Sequence, residues 1–168
     1  MAVSWYVEHT RIPEQIVPGK RLGRHYRRDS RDFAYRWKQV DRTLTSQVWT
    51  RHIQILDQGA VGSCTGNALT GALGTDPDFA ALPVSHPALD ENLALAIYSG
   101  AETIDGDGPY PPQDNGSSGP SAAQAAQKLG LISGYLHCLT LADVLDALEE
   151  HPVCIGSNWY DSMDSPDS

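Results

Sequence analysis

Charge is dealt out unevenly along this chain, and the split limits how it can fold. Residues 1–52 carry 11 of the 12 Lys and Arg against 5 acidic residues, a net charge of +6. Residues 53–168 carry Lys128 alone against 16 acidic residues, a net charge of −15. Such a chain either extends a basic arm toward nucleic acid or lays its basic segment along its own acidic remainder. The stretch RLGRHYRRDSRDFAYRWK (21–38) is broken by Asp29, Asp32 and apolar residues. Acids inside a phosphate-binding arm work against the counterion release that drives such binding. The intramolecular arrangement is therefore expected, without a nucleic-acid partner.

The 168 residues, 40% hydrophobic and 20% charged, suffice for one domain with a real core, or for part of a larger one. The 15 glycines and 11 prolines point to many loops. No run of eighteen apolar residues occurs, so no membrane span is expected, and MAVSWYVEHTRIPEQ has no basic-then-apolar signal design. Cys64, Cys138 and Cys154 make an odd count without a C-x-x-C pair. That is neither a disulfide framework nor a zinc module, and it suits a reducing, cytoplasmic setting. No metal or cofactor is expected.

Local patterns outline the elements. Pro13, Pro18 and Gly23 punctuate an extended lead-in over residues 1–50. HIQIL (52–56) reads as a short strand before the Asp57-Gln58-Gly59 turn. Small residues from Cys64 to Leu73 suggest a helix, with Cys64, Ala68 and Ala72 on one face. Pro77, Pro83 and Pro87 mark a loop. Leu89, Leu93, Ala96 and Ile97 predict a helix over 89–101, and DGDGPYPPQDNGSSG (105–119) a long loop. A helix then runs from Pro120 to Leu129, with proline in its first turn and Gly130 as its stop. Thr140 and Asp143 form a capping-box variant ahead of a helix reaching Glu150. VCIGSNW (153–159) reads as a strand, and DSMDSPDS (161–168) fits no element.

The chemistry centres on ILDQGAVGSCTGNAL (55–69). A thiol is a useful nucleophile when its thiolate is favoured, and a helix N-terminus supplies partial positive charge for that. Gly62 and Ser63 let the chain turn just before the helix, which places Cys64 beside unpaired N–H groups. The same groups can receive an oxyanion, and Gln58 can fold back across Gly59 to add an amide donor. The alternative is a cysteine that merely packs in a turn. Gly62-Ser-Cys64-Thr-Gly66 also matches the nucleophile elbow, but that elbow follows a buried strand, and turn-forming DQGAVG precedes Cys64 here. Asp105-Gly-Asp107-Gly hints at a calcium loop, yet Pro109 and Gly116 stand where ligands are needed. Tyr110-Pro111-Pro112 and Trp159-Tyr160 read as a plain loop and as core or cleft lining.

The run Asp57-Gln58-Gly59 to Gly62-Ser63-Cys64 resembles the active-site region of papain-like cysteine peptidases, of the bacterial and actinophage type, in its glutamine-to-cysteine spacing and its G-S-C triplet. The resemblance implies an α+β fold, with Cys64 as the acylated nucleophile and Gln58 as the oxyanion-hole partner. Leu89-Asp90-Glu91-Asn92 is similar to the start of the family's second helix. Asn115-Gly116-Ser117-Ser118-Gly119 is similar to the loop lining the substrate cleft, which makes Gly116, Ser117, Ser118 and Gly119 substrate-binding candidates. Pro152–Gly156 resembles the first strand of the barrel half, with Gly156 bordering a side-chain pocket. Leu22-Gly23-Arg24-His25 and Asp29-Ser30-Arg31 are similar to what precedes the peptidase region in such relatives. The layout implied is a basic lead-in (1–50), a helical half bearing the nucleophile (51–135) and an incomplete start of the barrel half (136–168). Thr65 replaces the aromatic residue that usually follows the nucleophile, and Val61 a cysteine that normally forms a disulfide.

The family's proton-transfer histidine and orienting asparagine, in Gly-His and Asn-Ser-Trp-Gly segments, have no counterpart in these 168 residues. His9, His25, His52, His86, His137 and His151 read as structural or solvated. The expectation is a truncated peptidase acting on a peptide or protein and inactive alone: a gene fragment, a split protein whose missing half a separate chain supplies, or a degenerate copy kept for binding. A non-catalytic binding or structural module, such as one associated with a phage particle, is the other reading.

Overall fold

The computed structural model describes residues 23–25 and 34–157. Its elements are β1 (Arg24–His25), α1 (Cys64–Leu73), α2 (Asp78–Ala81), α3 (Glu91–Asp105), β2 (Ser117–Ser118), α4 (Gly119–Lys128) and α5 (Leu141–Ala147). Helices predominate and strands are few, a composition compatible with the α+β class. Among the described residues no helix is long and apolar enough to cross a membrane.

α3 is the centre of the molecule. Asp90 caps it by accepting from the backbone N–H groups of Asn92 and Leu93 at 2.9 and 3.1 Å, satisfying donors that a helix start leaves open. Leu93, Ile97 and Ala101 recur at every fourth position and are buried against α1 and α4. Gly66 permits the α1–α3 approach, since a Cβ there would collide with the Ala94 carbonyl oxygen. Ala122, Ala125 and Ala126 bring α4 in equally close. α4 opens with Ser118 accepting from Ser121 N–H and with proline in the first turn, and Gly130, at φ +73°, follows its end.

The expected helices at 64–73 and 120–129 form close to the expected limits, the one expected to reach Glu150 ends at Ala147, and the 89–101 helix starts at Glu91 and runs on to Asp105. The Thr140–Asp143 capping box is present in both directions. Two expected strands are absent. Arg51, just before HIQIL, bridges Thr75, and His52 N–H donates to the Gly74 carbonyl at 2.8 Å, but no ladder follows and Ile55 is almost fully exposed. Val153 to Ser157 carries no ladder, and Cys154, Ile155 and Gly156 are exposed. Apolar alternation makes a strand only where a neighbouring strand accepts its hydrogen bonds, and among the described residues neither segment belongs to a sheet. The expected barrel half thus has no strand over 153–157, and positions 158 and 159 lie outside the described residues, as do Trp159-Tyr160, Leu22, Asp29-Ser30-Arg31, His9 and the 161–168 tail. The proline-marked loop contains the single-turn α2, whose Phe79 packs on the core.

The lead-in over 34–50 lies along the acidic part of the chain, as its charge predicts. Trp37 Nε1 donates to Asp146 at 2.6 Å, and Gln39 donates to Asp143 at 2.5 Å. Arg42 pairs with Asp146 at 2.9 Å and also with Glu150. Thr45 and Gln47 hold Glu149, and Trp49 donates to the Leu148 carbonyl at 3.1 Å. Residues 36–49 thereby form a strap around α5.

Candidate functional site around Cys64

Cys64 is the first residue of α1, as expected. Ser63 precedes it without offering a side-chain cap, so its hydroxyl does not compete for the first N–H groups of the helix. Backbone N–H groups of Cys64 and Thr65 face the sulfur and favour its thiolate, as do Gly23 N–H and the nearby Arg24 charge. Burial outweighs them and pushes the thiol above its ordinary value. The helix terminus is in place, and the Cys64 side chain is half-buried beside it. Cys138 and Cys154 are also free thiols.

Gln58 lies in the turn leading to Cys64. Its side-chain amide donates to the Val61 carbonyl at 2.9 Å, which fastens it to the turn, and Val61 N–H returns a bond to the Gln58 carbonyl at 3.2 Å. Gly59 takes φ +57° there. The glutamine thus stays within the cysteine loop, with one amide hydrogen committed to that loop.

The glycine-rich loop stands next to this turn. Gly62 N–H donates to Asp114 Oδ1 at 2.9 Å, and the Thr65 and Ser117 hydroxyls meet at 2.5 Å. Ser117 and Ser118 are fully buried, and their hydroxyls face inward, that of Ser118 to Asp105 and Ser121. What these two residues offer a ligand is backbone, not side chain. Gly116, at φ +83°, is buried against Gly23, whereas Gly119 is exposed at the start of α4. Gly156 is reached by the Arg24 guanidinium, which occupies the place of a Cβ. The structure accordingly gathers Cys64, Gly116, Ser117 and Gly156 around one short segment, residues 23–24.

Three residues that sequence reading passed over hold this arrangement. The Tyr98 hydroxyl donates to Asp114 at 2.7 Å, lies 3.0 Å from Glu102 Oε1 and accepts from Gly116 N–H at 3.0 Å. Glu102, with no exposed surface, accepts from Asn115 N–H at 2.6 Å. Burial first, and the Asp114 and Glu102 carboxyls with it, drive the Tyr98 hydroxyl far up in pKa, so it stays a protonated donor. A tyrosine and a glutamate four apart on the apolar face of α3 were the available signal.

The histidines between 52 and 151 are engaged elsewhere. His52 pairs with Asp76 at 2.8 Å and stacks on Phe79, and His151 pairs with Asp78 at 2.7 Å. His86 meets the Pro87 carbonyl, and His137 rests edge-on against Tyr135. Among the described residues no group of three His, Cys, Asp or Glu has the placement of a metal site. No protein-family model, curated protein or solved structure matches the chain.

Proposed function

We propose that this chain carries the attack half of a papain-like cysteine peptidase site, hydrolysing an amide bond of a peptide or protein through a thioester on Cys64. The observation supporting this reading is the position of Cys64 at the first residue of α1, with backbone N–H groups beside the sulfur and the Gln58 turn immediately before it. In this reading the Cys64 thiolate adds to the amide carbonyl carbon. The oxygen takes the negative charge beside the Cys64 N–H and a Gln58 amide hydrogen. The C–N bond then breaks, the amine leaves with a proton, and water splits the thioester to a carboxylate and the free thiol. The two proton transfers require a base, and the segment from which the family takes it has no counterpart in these 168 residues. The proposal assigns that base to a separate chain supplying the barrel half, with no cofactor.

A peptidyl nitrile tests the reading, because its nitrogen takes negative charge when a thiolate adds. Cys64 is expected to be modified ahead of Cys138 and Cys154. Gln58→Ala is expected to slow that reaction about 10²–10³-fold, the worth of one oxyanion donor. Equal reactivity of the three thiols, or indifference to Gln58→Ala, would turn the balance to a non-catalytic module.

A further inference from the structure

We infer that Asp114 and Tyr98 are positioning residues for Cys64: through the glycine-rich loop they clamp the backbone on both sides of the cysteine and so fix where its N–H points. The catalytic consequence rests on the reading of Cys64 as a nucleophile; the clamp itself does not.

Two bonds close the clamp. Before the cysteine, Gly62 N–H donates to Asp114 Oδ1 at 2.9 Å; after it, the Thr65 hydroxyl meets that of Ser117 at 2.5 Å. Asp114 and Ser117 belong to one short stretch, and that stretch hangs on α3. Gly116 N–H donates to the Tyr98 hydroxyl at 3.0 Å, and Asn115 N–H to Glu102 Oε1 at 2.6 Å. The Tyr98 hydroxyl in turn donates at 2.7 Å to Asp114 Oδ1, the same oxygen that accepts from Gly62. A carboxylate oxygen can accept two such bonds, and here both donors are in place. Removing the Tyr98 hydroxyl therefore frees the oxygen that holds the cysteine turn.

Gly62, Thr65, Ser117 and Tyr98 are all buried. Water does not compete for bonds in such a place, and a group stripped of its partner there is costly to leave unpaired. Gly62 also fits its seat: a Cβ on it would stand 2.9 Å from Asp114 Oδ1 and 3.3 Å from the Tyr98 hydroxyl.

The direction of the Cys64 N–H matters because an oxyanion donor works over a narrow range, about 2.7–3.1 Å from the charge it receives. A misplacement of about 1 Å costs on the order of 10²-fold in rate. Attack of the sulfur on a saturated carbon makes no such demand. Loosening the clamp thus penalises addition to a carbonyl or nitrile and spares alkylation.

The full chain and its Asp114→Ala, Asp114→Asn and Tyr98→Phe variants test this with two reagents, a peptidyl nitrile and iodoacetamide. The quantity read is the ratio of the two rates at Cys64, in which a general change of thiol exposure cancels. Asp114→Ala and Tyr98→Phe are expected to lower the ratio about tenfold or more. Asp114→Asn keeps the accepting oxygen and is expected to hold the ratio within about threefold of the parent. A ratio unmoved by Asp114→Ala and Tyr98→Phe would overturn the inference, and so would an equal fall in Asp114→Asn. Should the parent chain add no nitrile, the nucleophile reading fails and amide hydrogen exchange judges the clamp alone. Gly62 N–H is then expected to exchange about tenfold faster or more in Asp114→Ala, with the Ile97 amide of α3 unchanged. An unchanged Gly62 rate would overturn the clamp. If Asp114→Ala speeds Ile97 as well, Tyr98→Phe carries the same comparison with the same two outcomes.

Discussion

The α1–α3–α4 body and the strap around α5 sit in one chain but are held by different forces. The body is joined by apolar burial: Leu93, Ile97, Ala101 and Ala126 are almost wholly removed from water, and the energy scales with area. The strap is joined by carboxylates. Asp143 and Asp146 on α5 are buried, and each is met by donors from residues 36–42. Hydrophobic contacts are forgiving of geometry, whereas buried carboxylates hold only while ionised and fully bonded. Acid is therefore expected to loosen the strap before the helical body.

The largest effect is expected in the body. Ile97→Ala removes a side chain with no exposed surface and is expected to cost about 2–5 kcal/mol in denaturant unfolding. A cost below about 1 kcal/mol would mean that α3 is not the centre of the core. The next is confined to the strap. Asp143→Ala deprives Gln39 and the Leu139 and Thr140 N–H groups of their acceptor. Tryptophan emission should shift to the red as Trp37 and Trp49 are released, with the far-ultraviolet helical signal largely kept. Loss of both signals together would show that strap and body unfold as one.

Acid should separate the regions in the same order. Trp37 donation holds Asp146 below the usual carboxylate range, and Thr45 N–H does the same for Glu149. Burial alone would raise Asp143, but hydrogen bonds led by Gln39 outweigh it and lower it as well. Because these groups ionise more readily folded than unfolded, their stabilisation is complete above about pH 5. It is lost as the pH falls below about 4, through the depressed folded values. Tryptophan emission should therefore change at a higher pH than helical ellipticity, and coincident transitions would refute the distinction. The smallest effect is at the capping box: Thr140→Ala should cost about 1 kcal/mol, read from urea unfolding.

The candidate site was legible in part, for reasons that individual residues show. Cys64 heads a helix because Gly62 and Ser63 turn the chain and small helix-compatible residues follow, all within a few positions. The caps at Asp90, Ser118 and Thr140 are equally local. The strands were misread because HIQIL and VCIGS have apolar content without a partner, and partnership is not written in a short window. The close approach of Gly23 to Gly62 was not legible for a related reason: the two lie 39 positions apart, and no periodicity links them.

By itself, the sequence determined the helix starts, their capping and the meeting of a basic lead-in with an acidic body. Those depend on neighbours three or four residues apart or on summed charge. The seat of Gly23 between Gly62 and Gly116, and the joining of the two loops by Tyr98, Glu102 and Asp114, depend on tertiary contact. Each brings together groups tens of residues apart, which no short window of sequence records.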